Sequence, residues 1–378
     1  MDKKVIVAGH ICIDITPEIQ GGRIQDPAAF LSPGRLVNVG KADIHTGGVV
    51  ANTGLAMKIL GADVRLLGKI GDDSFGSMIE GILGSYDAAE GLIKRNGESS
   101  SYTIVLAIPG VDRMFLHNPG ANDTFCSEDI PAEALEDTAL FHFGYPPLMK
   151  RIYEDNGDEL VKIMRLARDS GAATSLDLAA VDPSSEAGRA DWSLILSRIL
   201  PLTDIFVPSI EELCSMLDGD MYARIRQRAG NRDFTEVLRQ EEIVSLAEKC
   251  ISMGAGIVLL KCGIPGMYYL SAGEERIGRI SPRLELDVRE WSDRRGFEES
   301  FVPDRVLSGT GAGDTSAAAF LVSLLAGYPP SKCAEYAAAT GACCVTAYDA
   351  LSGLMTLPEI DKKISAGWKK IRNGSDIG

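Results

Sequence analysis

The amino-acid sequence predicts an α/β protein with a mostly parallel, helix-covered sheet and a second, smaller β-sheet. The first observation is that short apolar, β-branched runs such as VIVAGHICI, VRLLGKIG and GIVLLKCG alternate with amphipathic stretches, which is typical of βαβ units. The second is that residues 15–46 and 99–118 interrupt this alternation. Residues 15–46 are rich in Gly and Pro, and 99–118 have two β-rich arms around a Pro-Gly-Val-Asp turn, which indicates a hairpin. We expect the two segments to pair into a small sheet that covers a site.

Length and composition are consistent with one large folded unit. The chain has 378 residues, which at roughly 150 residues per domain allows two or three domains. Hydrophobic residues make up 45% and charged residues 24%, so most of the chain is expected to fold. We predict a main α/β domain over residues 1–14, 47–98 and 119–378, with a β lid over 15–46 and 99–118.

The charge balance argues against two classes of partner. With 38 Lys+Arg and 53 Asp+Glu, the formal net charge is −15. We expect neither nucleic acid nor a membrane as a partner, because nucleic acid and anionic membranes favour clustered Lys and Arg. The charged segments 218–240 and 282–304 are interpreted as solvated surface insertions. An anionic small ligand remains compatible with this charge, because backbone N–H groups can bind phosphate in an acidic protein.

Cysteine usage bears on the compartment of the protein. The eight cysteines form no C-x-x-C pair, and most lie within apolar runs such as VLLKCG and GACCVTA, which favours buried free thiols in a reducing cytoplasm. The N-terminal apolar stretch is interrupted by His10 and Asp14 and is interpreted as a buried first strand, not a signal peptide. No apolar run approaches the ~18 residues of a membrane span. We therefore expect a soluble, cytoplasmic protein.

A glycine-rich turn near the C-terminus is the most informative motif. In residues 306–315 (VLSGTGAGDT), a predicted strand runs into the turn, and an Ala-rich apolar helix follows. Glycines let successive N–H groups converge on one point, and a helix start adds unpaired N–H groups and a positive dipole end. Gly311, Ala312 and Gly313 are therefore candidates for binding a phosphoryl group. Asp314, in the first helical turn, is either a simple cap or a general base that takes a proton from a substrate hydroxyl.

A second set of candidate residues lies near the N-terminus. Gly47 and Gly48 open a predicted helix in which Asn52 lies one turn from the start. Paired glycines let backbone amides approach a ligand closely, and an asparagine offers both a donor and an acceptor to a hydroxyl. Asp14 is predicted to end the first strand, where open α/β sheets bind ligands. A carboxylate there is either a turn residue or an acceptor of hydrogen bonds from two neighbouring hydroxyls.

Two common nucleotide-binding motifs are missing from the sequence. The glycine turn is not a G-x-G-x-x-G fingerprint, because Asp314 stands where the third glycine would fall. Neither Gly40-Lys41 nor Gly68-Lys69 completes a G-x-x-x-x-G-K-[ST] motif. Rossmann dehydrogenases and P-loop enzymes are both disfavoured.

Taken together, these motifs resemble the two signatures of the ribokinase-like (PfkB) carbohydrate kinases. The first runs from Gly47-Gly48-x-x-x-Asn52 to Gly71-Asp72-Asp73-x-Phe75-Gly76, and the second is Gly311-Ala312-Gly313-Asp314. The similarity covers nearly the whole chain. It implies a three-layer α/β/α domain with a β lid and ATP-dependent phosphorylation of a sugar or nucleoside hydroxyl.

The resemblance also implies roles for individual residues. Asp314 corresponds to the catalytic base and the amides of Gly311, Ala312 and Gly313 to an anion hole. Asp14, Gly47, Gly48 and Asn52 correspond to substrate-binding positions. Lys261 and Gly263, together with Gly311 and Gly313, correspond to the nucleotide site, and Glu212 to the position that serves Mg²⁺.

Three positions depart from the family pattern. The N-x-x-E motif has Ser209 in place of Asn, although Glu212 is kept. Ser308 stands where an Asp usually begins the second signature. That Asp helps to ligate potassium in members that bind the ion, so Ser308 argues against potassium activation. The late helix KCAEYAAATGACCV lacks the Asn often found beside the nucleotide base.

Three functions follow as hypotheses. The first is a sugar kinase acting on a pentose, hexose or sugar acid. The second is a nucleoside kinase of the same fold, in which Tyr102, Phe115 or Tyr145 would clamp the base. The third is a non-catalytic sugar- or nucleotide-binding regulator, which Ser209 and Ser308 keep open. Because the lid strands expose β edges, we also predict a homodimer formed through the lid.

Overall fold

The computed structural model describes residues 3–19, 32–109 and 114–371, and the strands within them form two sheets. The strands are β1 (Lys4–Gly9), β2 (Cys12–Pro17), β3 (Ala42–Gly47), β4 (Asp63–Gly71), β5 (Ile93–Arg95), β6 (Tyr102–Leu106), β7 (Met114–Asn118), β8 (Thr138–Gly144), β9 (Ala173–Asp177), β10 (Ile205–Phe206), β11 (Ile257–Lys261), β12 (Gly266–Ser271) and β13 (Arg295–Glu299).

The α-helices alternate with these strands along most of the chain. They are α1 (Val49–Ile59), α2 (Ser74–Gly84), α3 (Lys150–Asp169), α4 (Glu186–Arg189), α5 (Trp192–Ile199), α6 (Ile210–Leu217), α7 (Gly219–Ala229), α8 (Gln240–Ser252), α9 (Glu274–Ile277), α10 (Val288–Trp291), α11 (Ala312–Leu325), α12 (Pro330–Cys344) and α13 (Leu357–Ser365). Helix α3 is interrupted by non-helical residues at 154–157.

The larger sheet has nine strands in the order β13-β12-β11-β10-β9-β8-β1-β4-β5. Its strands are parallel except for the antiparallel pairs β11–β12 and β12–β13. Alternate residues of β1 enter two separate hydrophobic clusters: Val5 and Val7 pack with α1, α11 and α12, and Ile6 and Ala8 with α3, α5, α6 and α8. Because the sheet is buried on both faces, its strands are almost continuously apolar. The predicted three-layer α/β/α architecture is confirmed.

The smaller sheet has the order β3-β2-β6-β7. It differs from the sequence prediction at its start, because the apolar run VIVAGHICI is not one strand. β1 ends at Gly9, and β2, which begins at Cys12, pairs with β3 and β6 instead of continuing in the main sheet. Asp14 therefore lies inside a strand of the small sheet, and the prediction that it ends the first strand was wrong. The small sheet begins at Cys12, three residues before the predicted lid boundary at 15.

Other sequence expectations had mixed outcomes. β6 and β7 form the predicted antiparallel hairpin, although residues 110–113 of its turn lie outside the described residues. The segment 282–304 is not only a surface insertion, because β13 extends the main sheet and both Trp291 and Phe301 are buried. All eight cysteines are buried free thiols, as predicted. No helix in the described ranges combines the length and apolar character required to span a bilayer.

One buried side chain holds the place where the chain crosses between the sheets. Asn122, which follows β7, accepts a hydrogen bond from the Ile11 N–H (3.1 Å) and donates one to the Ile11 carbonyl (2.9 Å). Both backbone groups of Ile11 are thus satisfied inside the protein, although Ile11 belongs to neither sheet. The clamp joins the chain entering the small sheet to the chain leaving it.

We expect Asn122→Ala to lower the free energy of unfolding by about 2–4 kcal/mol, because it leaves two buried backbone groups of Ile11 unpaired. Urea denaturation at constant m-value measures the loss. The matched control is Asn118→Ala, since the bond from Asn118 to Ser99 is exposed and 3.5 Å long; we expect a change within about 0.5 kcal/mol. Equal losses in the two variants would contradict the clamp.

Candidate active site

A cavity of about 170 Å³ opens at the carboxyl edge of the parallel strands, and its lining includes Tyr145, Asp177, Glu212, Lys261, Gly313 and Asp314. Tyr145 directly follows β8, Asp177 ends β9 and Lys261 ends β11. This edge is where open α/β sheets bind ligands. A larger surface depression of about 380 Å³, over residues 273–279, is open and is lined by one helical turn and its flanks. The smaller cavity is therefore the candidate site.

The start of α11 forms one wall of this cavity. Gly311 precedes the helix with φ 76°, and a Cβ at this position would lie 2.3 Å from the Cβ of Ala350. A side chain there would be strained by both the conformation and the contact. The strand predicted at Val306 is absent: residues 306–308 are irregular, and the Leu307 N–H donates to the Val345 carbonyl (2.8 Å).

The first helical turn holds the candidate anion-binding amides. The Ala312 N–H donates to the Gly309 carbonyl at 3.3 Å, which is a long hydrogen bond. Helices leave their first N–H groups without intrahelical partners, and the dipole end adds partial positive charge. This turn can therefore attract an anion into the cavity.

Asp314 lies in this turn and is almost completely buried, with 5% of its surface exposed. Asn52 of α1 donates to its Oδ2 (2.9 Å), and the Tyr145 hydroxyl lies 2.7 and 2.8 Å from its two carboxylate oxygens. Tyr145 reaches this position from a left-handed backbone conformation (φ 66°, ψ 40°). Burial, and then the charge of Asp314, raise the pKa of Tyr145 well above its usual value, so its hydroxyl remains a donor.

A buried ion pair lies beside Asp314. The Lys261 Nζ donates to Asp177 Oδ2 at 2.6 Å. Burial raises the pKa of Asp177 to about 7, although the charge of Lys261 lowers it. Burial lowers the pKa of Lys261, but the surrounding carboxylates outweigh this effect and raise it. Glu212 and Asp314 add to the effect of burial on Asp177, and with Asp177 they are the three carboxylates that raise the pKa of the one ammonium group. The site is net acidic and attracts cations.

Glu212 has a structural bond as well as a place in the cavity. Its Oε2 accepts the Ser209 N–H (3.2 Å), so Ser209 and Glu212 form a capping box at the start of α6. Burial raises the pKa of Glu212. Among residues 3–19, 32–109 and 114–371, no three His, Cys, Asp or Glu side chains are grouped to hold a metal on their own. A single carboxylate such as that of Glu212 is compatible with Mg²⁺, which is usually bound by one or two carboxylates plus water and substrate phosphates.

A row of polar side chains crosses the small sheet near the cavity. His45, Asp14, Thr103 and His117 are register partners on β3, β2, β6 and β7, and paired residues share a face of the sheet. Thr103 Oγ1 lies 3.0 Å from His117 Nδ1, and the Cys12 thiol lies 3.3 Å from Asp14 Oδ1. Burial raises the pKa of Asp14.

The two glycines before α1 lie against this region. A Cβ at Gly47 would be 2.2 Å from Asp14 Oδ2, and one at Gly48 would be 2.6 Å from His10 Nδ1. The structure thus brings Asp14, Gly47 and Gly48 together, while Asn52 contacts Asp314. Gly263 lies apart from them, where a Cβ would be 2.7 Å from Thr235 Oγ1.

The aromatic residues considered for a base clamp do not converge. Tyr102 packs on Phe75 with ring centroids 5.1 Å apart. Phe115 is 59% exposed on β7, whereas Tyr145 is bonded to Asp314. Sequence analysis missed Asp177 as the partner of Lys261. Its only local signal is a polar residue at the end of the predicted strand ATSLD.

The family of the chain follows from comparison with known proteins. The family model for pfkB family carbohydrate kinases matches residues 2–357. The chain belongs to this family.

Individual relatives are more distant. Probable fructokinase-4 of Arabidopsis thaliana is 29% identical over 180 residues, 47% of this chain and 51% of that protein. The chain thus matches about half the length of that relative. An uncharacterized sugar kinase of Archaeoglobus fulgidus is 25% identical over 309 residues, 79% of this chain and 98% of that protein. The structure of Arabidopsis thaliana ribokinase complexed with ribose and ATP has a TM-score of 0.68 at 19% identity, covering 96% of this chain and 98% of that one. The two proteins share a fold.

A buried histidine next to the ion pair makes stability depend on pH. His142 is fully buried, its Nδ1 lies 3.0 Å from Ser175 Oγ, and its Nε2 has no hydrogen-bond partner. Burial, and then the charge of Lys261, lower the pKa of His142 to about 3. Between about pH 3 and 6.5 the unfolded chain therefore binds a proton at His142 that the folded protein does not, and the contribution of His142 to stability is lost as the pH falls.

Relative to His142→Leu, we expect the free energy of unfolding of the wild type to fall between pH 6.5 and 4.5, because only the wild type carries this histidine. Asp177, whose pKa is raised, contributes with the opposite sign in both proteins. Urea unfolding at pH 6.5, 5.5 and 4.5 measures both slopes. Ser175→Ala is the control, because it removes the same hydrogen bond without removing a titrating group, and its slope should match the wild type. A wild-type slope in His142→Leu would contradict the assignment.

Proposed function

We propose that this protein is an ATP-dependent sugar kinase in which Asp314 is the general base. The observation that carries the proposal is the position of Asp314. Its carboxylate is buried in the first turn of α11, oriented by Asn52 and Tyr145, and adjacent to the glycine turn. A base held at a helix start can take a proton from a hydroxyl while the same helix end attracts the phosphate that this hydroxyl attacks.

The proposed reaction is an in-line transfer. Asp314 accepts the proton of a sugar hydroxyl, and the hydroxyl oxygen forms a bond to the γ-phosphorus of ATP. The bond from that phosphorus to the β–γ bridging oxygen breaks, and ADP leaves. The protein contributes mainly position and electrostatic stabilisation, as in other phosphoryl transfers.

The phosphate side of the site consists of the Gly311–Gly313 turn and Lys261. A Cβ at Gly313 would lie 3.5 Å from Lys261 Nζ, so the ammonium group and the helix start flank the same space. Asp177 keeps this ammonium in position. The cavity, at about 170 Å³, is smaller than the roughly 300–1,000 Å³ of sites that enclose whole ligands. We infer that it holds the reacting groups, and that the nucleoside lies outside it.

Mg²⁺ fits the acidic character of the site. Glu212 would hold the ion through water and nucleotide phosphates, and Mg²⁺ would neutralise charge on the transferring phosphoryl group. Glu212 lines the cavity while its Oε2 accepts the Ser209 N–H. We make no proposal for potassium, because Ser308 replaces the Asp that the family uses.

The sugar is favoured over the alternatives by specific features. The curated relatives described above are sugar kinases by name. A nucleoside acceptor is disfavoured because the ring of Tyr102 packs on Phe75 and Phe115 is exposed on β7. A non-catalytic regulator is disfavoured because the base and its two hydrogen-bond donors are in place. The buried free cysteines support a cytoplasmic location.

ADP release tests the proposal. With Mg·ATP, we expect the wild type to release ADP in the presence of at least one sugar from a panel of pentoses, hexoses, sugar acids and nucleosides. Asp314→Asn should lower kcat by about 10²–10⁴-fold, the usual contribution of a general base, while sugar binding measured by calorimetry persists.

Asp304→Asn is the matched control, because Asp304 is exposed and pairs with Lys363 on the surface (2.8 Å). Its turnover should equal that of the wild type. Wild-type turnover in Asp314→Asn would refute the role of the base. Ligand binding without ADP release across the whole panel would favour the regulator.

We also propose a homodimer formed through the lid. β7 is an edge strand of the small sheet, and its Phe115 and Leu116 are 59% and 57% exposed. An exposed apolar edge is a template for pairing with a second copy. Light scattering should give twice the chain mass of 40.5 kDa, and Phe115→Glu/Leu116→Glu should shift the mass to that of the monomer. A monomeric wild type would exclude the dimer.

A further inference from the structure

The geometry points to His10 as a specificity-determining residue: we propose that its imidazole hydrogen-bonds a hydroxyl of the acceptor, and that this acceptor is an uncharged sugar. The inference rests on the proposed kinase function and deepens it. The family signatures do not include position 10, and sequence analysis treated His10 only as an interruption of an apolar run.

His10 is buried without any hydrogen-bond partner. It is 2% exposed, and neither Nδ1 nor Nε2 is bonded. Within the described parts of the chain, it is the only side chain with two such buried nitrogen atoms; His142 has one. A buried polar group normally has a partner, and one left unpaired is destabilising. A ligand hydroxyl would provide the missing bond.

Two chains of contacts place His10 between the carboxylates assigned to the acceptor. On one side its ring centroid is 5.2 Å from that of His117, which contacts Thr103, the register partner of Asp14. On the other side its ring centroid is 6.0 Å from that of Tyr145, whose hydroxyl bonds Asp314. His10 therefore lies between the ring of His117 on the small sheet and the ring of Tyr145, whose hydroxyl bonds the base.

The backbone around His10 keeps the ring in this position. Its carbonyl accepts the Val50 N–H (3.2 Å) at the start of α1. Gly48 leaves room for the ring, because a Cβ there would lie 2.6 Å from His10 Nδ1. The backbone of His10 is thus fixed by its bond to Val50, and its ring is fixed by its contact with Gly48. A specificity contact requires this kind of rigidity.

The charges around His10 favour a neutral acceptor. Asp14 and Asp314 lie on its two sides, and the Lys261 ammonium group near Asp314 is paired with Asp177. Burial lowers the pKa of His10 to about 3 and also lowers the pKa of His117, so both rings are neutral near pH 7. The carboxylate of a sugar acid would meet two negative groups, and Lys261 nearby is already paired with Asp177, whereas hydroxyls can bond carboxylates and neutral imidazoles.

A cycle between the residue and the substrate tests the hydrogen bond. The variants are His10→Leu, which removes the bonding atoms, and His10→Asn, which retains a donor and an acceptor near the Nδ1 position. For the best sugar of the panel and each of its monodeoxy analogues, kcat/KM is measured. We expect His10→Leu to lower kcat/KM about 10–100-fold for the parent sugar. For the one deoxy analogue that lacks the hydroxyl bonded by His10, kcat/KM should be the same in His10→Leu and in the wild type. His10→Asn should recover part of the loss.

The melting temperature and the affinity for ADP serve as controls for correct folding. The ADP affinity should stay within twofold of wild type, because His10 contacts Gly144, Val50, His117 and Tyr145, none of which belongs to the Gly311–Gly313 turn. Equal losses for the parent and every deoxy analogue would overturn the proposal, as would no loss at all. A melting temperature that falls together with ADP affinity would also count against it, since that pattern belongs to a purely structural residue.

A comparison of each neutral sugar with its sugar acid tests whether the acceptor is uncharged. We expect glucose to have a higher kcat/KM than gluconate, and ribose than ribonate; a preferred sugar acid would overturn the assignment. If the wild type phosphorylates nothing, the kinase proposal fails, but calorimetry with these sugars still tests His10. Weaker sugar binding in His10→Leu than in wild type would support the contact, and unchanged binding would refute it.

Discussion

The crossing of the chain from one sheet to the other at Gly9–Cys12 is the constraint on which the site depends. Gly9 has φ 128°, and a Cβ there would lie 2.3 Å from the Gly144 carbonyl oxygen, so only glycine allows β1 and β8 to approach this closely. Asn122 then satisfies both backbone groups of Ile11. The crossing orients His10, starts the strand that holds Asp14, and positions the first turn of α1 through the Val50 N–H.

The electrostatics of the site account for how an acidic protein can accept an anionic nucleotide. Three buried carboxylates surround Lys261, whose own charge is balanced by Asp177. A site of this kind offers no excess of basic side chains to a phosphate. Backbone N–H groups at the start of α11 supply partial positive charge without desolvating a further cation. The acidic side chains, in turn, suit a divalent cation that accompanies the phosphates.

The features that can be predicted from the amino-acid sequence are those with a local pattern. The helix starts at Gly48 and Gly311 were predicted because glycines precede apolar helical runs, and Asp314 and Asn52 followed from their positions one turn later. The strand pairings that were predicted wrongly are those whose partner strand is distant in sequence. The run VIVAGHICI has no polar break strong enough to indicate that its second half pairs with β3 and β6. Residues 295–299 were interpreted as surface because their charges hide a strand at the end of the sheet.

Hydrophobic periodicity and glycine placement act within a few residues, so the α/β class, the two glycine turns and the carboxylate that follows the second one can be read from the amino-acid sequence. The side chains that surround that carboxylate depend on the three-dimensional fold. Tyr145 and Asn52 lie 169 and 262 residues from Asp314 in sequence, yet both bond to it. Asp177 meets Lys261, and His10 meets His117, for the same reason. These contacts arise from strand order and the sheet crossing, and no local propensity encodes either of them.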